Sequence, residues 1–293
     1  MNKVLLFVTF IGLTAFLACK NAPNANSTDP NAPTGPVEHA NPTNLAGHWI
    51  AIDFCSRAAS RNSILKAMNT EGSHMPYAYA FTFNPEQMDS VTCFNGVETY
   101  KLAARVNLDT IELKDARQGR SVFLVYLPQT KEMELFDATT GSAHLDRLIK
   151  SSSDAPGGEN AFAVALNHHL FEGNYAPVDK KVDIFTQFTP TGYITNFPGY
   201  DRYKPCIGGD CFLLSDKMDV MTVANSKDPN SLKMFGFRFS TAGDTLTLYN
   251  MNVSATEKAA TLGNVAYRFT RKKVAENAAP KPAQQPQQPN NGK

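Results

Sequence analysis

From Tyr77 to Arg271 the dominant pattern is an alternation, at every second residue, of large apolar with small or polar side chains. Tyr77, Tyr79, Phe81 and Phe83 alternate with Ala78, Ala80 and Thr82, and Tyr100, Leu102, Ala104 and Val106 follow the same rhythm. Phe235, Phe237 and Phe239 alternate with Met234, Gly236 and Arg238. Successive side chains of a strand point to opposite faces, so this period predicts strands with one face on a core. Turn formers separate them at Asn84-Pro85, Asn95-Gly96, Asn107-Leu108-Asp109, Pro190-Thr191-Gly192 and Ala242-Gly243-Asp244. Short strands at close spacing predict an all-β sandwich or antiparallel barrel. Arg57 to Met68 and Asn160 to Leu170 instead carry apolar residues at three- and four-residue spacing, which predicts two short helices.

The chain reads as two similar halves. Gly47-His48-Trp49 opens the first and Asp146-Arg147-Leu148-Ile149-Lys150 closes it; Gly173-Asn174-Tyr175 opens the second and Tyr267-Arg268-Phe269-Thr270-Arg271 closes it. From opening glycine to closing arginine the lengths are 100 residues (47 to 147) and 95 (173 to 268). Similar lengths with similar ends imply a repeated unit. Residues 151–158 contain no large apolar side chain and read as the linker between units at 44–150 and 159–273.

These ends resemble the lipocalin-like, or calycin, barrels, whose first strand starts with Gly-x-Trp and whose last strand carries an Arg that packs over the indole. The resemblance implies two antiparallel lipocalin-like β-barrels in tandem, closed by Trp49 with Arg147 and by Tyr175 with Arg268. A planar guanidinium stacks on an aromatic face while its donors stay satisfied at the rim. Trp49 is the only tryptophan in the chain. Phe54 to Met68 interrupts the first half as an insertion that forms a lid or plugs the barrel.

At the N-terminus, Met1-Asn2-Lys3 is followed by fifteen uncharged residues, Val4 to Ala18, ending in small side chains. That is the layout of a secretory signal, residues 1–18, and it is shorter than the roughly 20 apolar residues of a membrane span. Thr14-Ala15-Phe16-Leu17-Ala18-Cys19 resembles the lipobox of bacterial lipoproteins, with Phe16 where Leu is commonest and Leu17 where a smaller residue is usual. The resemblance implies cleavage before Cys19, lipid attachment to Cys19 and a membrane held through that anchor. Multiple acyl chains, at about 0.8 kcal/mol per buried methylene, hold a protein firmly. By the same resemblance, Lys20 in place of Asp after the cysteine implies a cell-envelope protein of the outer membrane.

The full chain carries 28 basic and 27 acidic residues, and removing residues 1–18 takes away only Lys3, leaving 27 of each. This balance leaves no electrostatic footprint for nucleic acid. Arg271-Lys272-Lys273 reads as a solvated strand end. Residues 19–43 and 274–293 are rich in Asn, Pro, Ala, Gln and Thr and cannot bury enough apolar surface to offset their ordering entropy, so both are expected to be disordered. The first would be a tether spanning roughly 25 to 30 Å.

Chemistry is sparse. Cys206 and Cys211 flank a glycine turn and form either a hairpin disulfide or a pair of free thiols; Cys55 and Cys93 form a second disulfide or two buried thiols. Two thiolates without a third ligand do not complete a tetrahedral site, so no metal and no cofactor is expected. His168-His169 falls at a helix end and points to packing, since adjacent helical residues diverge by about 100°. His48, opposite the indole, is expected to face solvent. Arg57 and Arg61 with Arg105 can hold an anion, or Asp53 can pair with Arg57. Asp183, Asp201 and Asp219 are scattered, with no pairing for acid–base work, and no hydrolase elbow, zincin helix, Walker loop or dinucleotide fingerprint occurs. The expected function is therefore non-catalytic: a lipid-anchored module holding a small apolar or amphipathic ligand in a barrel, or a structural lipoprotein docking another envelope protein or component, with a hydrolase of unfamiliar site as the third alternative.

Overall fold

The computed structural model describes residues 38–69, 76–117, 119–137, 143–152, 157–178, 184–208, 218–253 and 260–272. Cys19, Asp183, Cys211, the expected C-terminal tail, residues 19–37 of the expected tether and residues 153–156 of the expected linker lie outside them; residues 38–43 depart from the expected disorder, the Ala40 amide donating to Asp109 at 2.8 Å.

The period-two segments form two closed eight-stranded barrels in tandem, in which consecutive strands pair antiparallel and the last returns to the first. The first contains β1 (Gly47–Ala51), β2 (Ala80–Asn84), β3 (Gln87–Phe94), β4 (Thr99–Asn107), β5 (Thr110–Arg117), β6 (Arg120–Leu127), β7 (Glu132–Asp137) and β8 (Ala143–Lys150). The second contains β9 (Gly173–Pro177), β10 (Thr186–Phe188), β11 (Tyr193–Phe197), β12 (Tyr200–Pro205), β13 (Asp219–Asn225), β14 (Asp228–Phe239), β15 (Thr245–Val253) and β16 (Ala260–Arg271). Two such barrels fit the lipocalin-like architecture. Each turn group named from the sequence sits in a hairpin. Tyr77 and Tyr79 precede β2 rather than belong to it.

Among the described residues four helices accompany the strands: α1 (Pro42–Leu45), α2 (Ile52–Arg61), α3 (Ile64–Met68) and α4 (Gly158–Leu170). The expected helix at Arg57 to Met68 begins earlier and breaks in two at Asn62, which takes the left-handed conformation (φ 53°) and ends α2. Among the described residues no helix is long and apolar enough to cross a membrane.

Closing a sheet on itself removes its edges and turns alternate side chains into one interior. In the first barrel Ile111, Leu113, Val122, Leu124, Met133 and Leu135 project inward and are 0% exposed. At these positions the interior is side chain, not space. The inward residues of β4, Tyr100, Leu102, Ala104 and Val106, are only half-buried, so that wall is less tightly sealed. Aromatic rings fill one end of the second barrel, where Phe171 lies 5.1 to 6.4 Å from Phe188, Tyr203, Phe237 and Phe239.

Both barrels fall within one compact unit, 37–293. The insertion α2–α3 bonds to both barrels: the Asp53 amide and Arg57 of α2 reach the buried Asp146 of β8 at 3.0 and 3.4 Å, and α3 bonds to the second barrel. Asp219 of β13 accepts the Leu65 amide at 2.8 Å and also bonds Ser63, completing the N-terminus of α3 from across the interface. Asn62 Nδ2 donates to the Thr241 carbonyl at 3.3 Å. At the same interface Ile207 approaches the Asn95-Gly96 turn so closely that a Cβ on Gly96 would lie 2.8 Å from the Ile207 carbonyl oxygen.

Candidate functional site

The barrel-closing pairs exist, but with different cations. Across β1 and β8 the register places Trp49 opposite Lys150, and across β9 and β16 it places Tyr175 opposite Arg271. Arg147 and Arg268 stand three residues earlier, and an odd offset in a strand turns a side chain to the opposite face. Lys150 Nζ lies 5.9 Å from the Trp49 ring centroid, and the Arg271 guanidinium carbon lies 5.2 Å from that of Tyr175. Arg147 instead binds Glu132 at 2.6 Å and Asp53 at 3.3 Å.

The two closures repeat atom by atom. Trp49 Nε1 donates to the Leu45 carbonyl at 2.7 Å, and the Tyr175 hydroxyl donates to the Phe171 carbonyl at 2.8 Å, each four residues back. Lys150 donates to Asn44 O at 3.2 Å and Arg271 to Leu170 O at 2.6 Å, each five residues before the aromatic. A short leader helix, α1 or α4, thus ends where its last carbonyls are taken up by the closing pair. Gly47 and Gly173 turn the chain from leader into strand with φ of 108° and 150°, where a side chain would be strained.

Beside the first closure lies a cleft of about 330 Å³. Its apolar wall comes from Ile50, Ile52 and Ile149 on the barrel side and from Ala161, Val164 and Ala165 on α4. α4 is held there because Phe162 stacks on Tyr79 (4.9 Å, 29° between planes) and packs against Phe54 and Phe94. Its far end reaches the second barrel through Asn167, which donates to the Pro190 carbonyl at 3.0 Å, and its start through the exposed Glu159–Lys204 pair at 2.7 Å.

The cleft's polar lining is Lys150, Ser151, Ser152, His168 and His169. The two imidazoles meet edge to face at 5.4 Å, and His168 bonds Glu172. Burial, reinforced by His168, holds the His169 pKa below its ordinary value. The histidine pair, expected to serve packing, therefore lines a cavity as well. Sequence reading missed this because the cavity needs β1, β8 and α4 together.

Other expected residues are dispersed. Arg57 pairs with Asp146 at 3.4 Å and Asp53 with Arg147, so the expected Asp53–Arg57 pair does not form. Arg105 stands opposite Glu112 across β4 and β5, and Arg61 ends α2. His48 is half-buried rather than solvent-facing, bonded to Thr82 Oγ1 at 2.8 Å, and burial lowers its pKa. Asp201 caps the Ser226 turn at 2.8 Å.

Cys55 and Cys93 are free and buried, which overturns a disulfide between them; the first is closed into α2 and the second into β3. Burial pushes the Cys55 thiol well up and the Cys93 thiol up to about 12, so neither supplies a thiolate at neutral pH. Cys206 is disulfide-bonded, while Cys211 lies outside the described residues. Among the described residues no group of three or more His, Cys, Asp or Glu side chains is placed to hold a metal.

The chain matches no protein-family model, no curated protein and no solved structure.

Proposed function

We propose that this chain is a lipid-anchored, non-catalytic binding protein of a bacterial cell envelope, held at the outer membrane through Cys19, and that it takes a small apolar or amphipathic molecule on the outside of its barrels. The observation that carries the external location is the fully buried inner face of β5, β6 and β7, which leaves no room for a ligand at those positions. The α4 cleft is a concave apolar surface on the outside of the first barrel that also gathers hydrogen-bonding side chains. The anchor rests on the signal layout of residues 1–18 and on the lipobox-like run ending at Cys19.

A second reading, docking of another envelope component, draws on Val178, Ile184 and Phe185, which are 46%, 57% and 41% exposed where β9 ends beside the start of β10.

The anchor is tested by growing cells with an alkyne fatty acid. Wild-type protein should be labelled and partition into detergent, and Cys19→Ser should do neither; undiminished labelling of Cys19→Ser would rule the anchor out.

A further inference from the structure

We propose that a recess on the outer face of β4, β5 and β6 of the first barrel binds a neutral sugar ring, a pyranose with vicinal hydroxyls. The recess shares no residue with the α4 cleft, and its ligand goes beyond the small molecule proposed for that cleft.

Strand alternation places the recess. Ile111, Leu113, Val122 and Leu124 fill the interior, so Thr110, Glu112 and Phe123 turn outward beside Arg105 and Asn107 of β4. In register, Arg105 stands opposite Glu112, Glu112 opposite Phe123, and Asn107 opposite Thr110. These five side chains enclose about 160 Å³. Sites for drug-sized ligands hold about 300 to 1,000 Å³, so this one takes a single ring and not a fused or extended body. The hairpin that carries Asn107 and Thr110 is held in place, because Asp109 accepts the Ala40 amide at 2.8 Å, bonds His39 at 2.9 Å and takes the Tyr126 amide on its carbonyl at 2.7 Å. Groups positioned before binding lose less freedom when the ligand arrives.

The lining has the chemistry of a polyol site. Arg105 and Glu112 are opposite charges directly across a strand pair, an arrangement that favours an ion pair. The Ser121 hydroxyl instead donates to Glu112 Oε1 at 2.7 Å, and among the described residues Arg105 and Glu112 form no ion pair. The side chains of Arg105, Asn107 and Thr110 have no hydrogen-bond partner among the described residues. The guanidinium offers donors, the carboxylate offers acceptors, and the Asn107 amide and Thr110 hydroxyl offer both. Neighbouring hydroxyls, each a donor and an acceptor, use all of them. An anion would meet Glu112 and a cation would meet Arg105, whereas an uncharged polyol takes charge-assisted hydrogen bonds from both without repulsion.

Phe123 supplies the floor. It is half-buried on the outer face of β6 and lines the recess with its ring. An aromatic face is electron-rich and attracts the weakly positive C–H bonds on the flat side of a sugar ring, whose hydroxyls project around the rim toward the polar side chains. An apolar floor with a polar rim distinguishes a sugar from an amino acid, which would need only the two charges.

Isotope-labelled full-length protein is titrated to millimolar concentrations with the methyl β-pyranosides of glucose, galactose, mannose and N-acetylglucosamine, and amide and arginine Nε shifts are followed by nuclear magnetic resonance. At least one sugar should give saturable shifts centred on β4 to β6 and on the Arg105 Nε–H. Arg105→Ala, Glu112→Gln and Phe123→Ala should each weaken that binding at least about fivefold. Lys101→Ala, on the same face of β4 but outside the recess, should leave it unchanged. If Phe123→Ala does not fold by circular dichroism, Arg105→Ala and Glu112→Gln carry the test. A trisaccharide of the bound sugar separates two sources of the same ring: equal or tighter binding supports the terminal ring of a glycan, and exclusion supports a free monosaccharide.

Absence of saturable shifts with all four sugars overturns the proposal, and so do shifts centred away from β4 to β6. Inorganic phosphate and glycine are titrated in parallel, and a response at Arg105 to either of them but to no sugar also overturns it, making the recess an anion or zwitterion site. Undiminished sugar binding in Arg105→Ala and Glu112→Gln moves the sugar elsewhere and overturns it as well.

Discussion

At the scale of the residue, the closing pairs decide which cation matters. Trp49 is 1% exposed, with its indole nitrogen bonded to Leu45 and Lys150 over its ring. A cation at this range contributes about 0.5 to 1 kcal/mol at an exposed site. Arg147 lies on the opposite face, in ion pairs whose partially exposed members contribute about 0 to 1 kcal/mol. Lys150→Ala should therefore red-shift Trp49 emission and raise its quenching by acrylamide, while Arg147→Ala leaves both unchanged. Trp49→Ala should cost about 3 to 5 kcal/mol in denaturant unfolding, because the indole leaves a cavity in a packed wall. A shift in Arg147→Ala but not in Lys150→Ala would reverse the assignment.

Asp146 gives the residue scale a pH signature. Its carboxylate is 0% exposed and accepts the Asp53 amide at 3.0 Å, capping α2 in place of the absent side-chain cap at Ala51. Burial pushes its pKa up to about 7 against the opposing pull of Arg57, and the nearby Asp53 charge adds to the rise. An unfolded Asp titrates near 3.9. The folded state thus holds the proton more tightly, and the stabilisation this gives is full below about pH 4 and is lost as pH rises to about 7. Asp146→Asn, which cannot ionise, should remove that slope: the melting temperature of wild type should fall relative to the variant between pH 4 and 7. Parallel curves would show that Asp146 stays ionised across the range.

At the scale of the element, the sequence was legible where one local rule suffices. Period two located the strands, and the turns at Asn95-Gly96 and Ala242-Gly243-Asp244 became hairpins because strand pairing needs only a neighbour in sequence. The repeat was visible from Gly47 and Gly173. The choice of Arg147 and Arg268 was wrong by three residues, because the pairing of β1 with β8 and of β9 with β16 joins distant segments whose register no local pattern reveals. Of the two readings open for Cys55 and Cys93, the buried thiols hold and the bridge does not, and the sequence left both open because one thiol belongs to a helix and the other to a strand, and spacing says nothing about whether their sulfurs meet. The cleft was hidden because α4 was read with the second half, whereas Phe162 fixes it to the first.

At the scale of the whole molecule, the two barrels are joined by more than a linker. Asp219 reaches from β13 to complete α3, α4 spans both barrels, and Ile207 seats on the Gly96 turn. Elements that share buried caps and packing lose their structure together, so the pair should behave as one cooperative unit despite its tandem sequence. Trp49, the only tryptophan, lies in the first barrel and senses that barrel alone, whereas far-ultraviolet circular dichroism senses both. In wild-type protein the two signals should therefore report the same denaturant midpoint. Asp219→Ala removes the acceptor for Leu65 and Ser63 at the interface, and loss of such a cap costs about 0.5 to 2 kcal/mol. Because α3 bonds the second barrel through that carboxylate, the variant should separate the transitions, with the Trp49 midpoint and the dichroism midpoint no longer coincident. Separate midpoints already in the wild type would mean that the barrels fold independently, with the contacts at Asp219, Asn62 and Gly96 too weak to couple them.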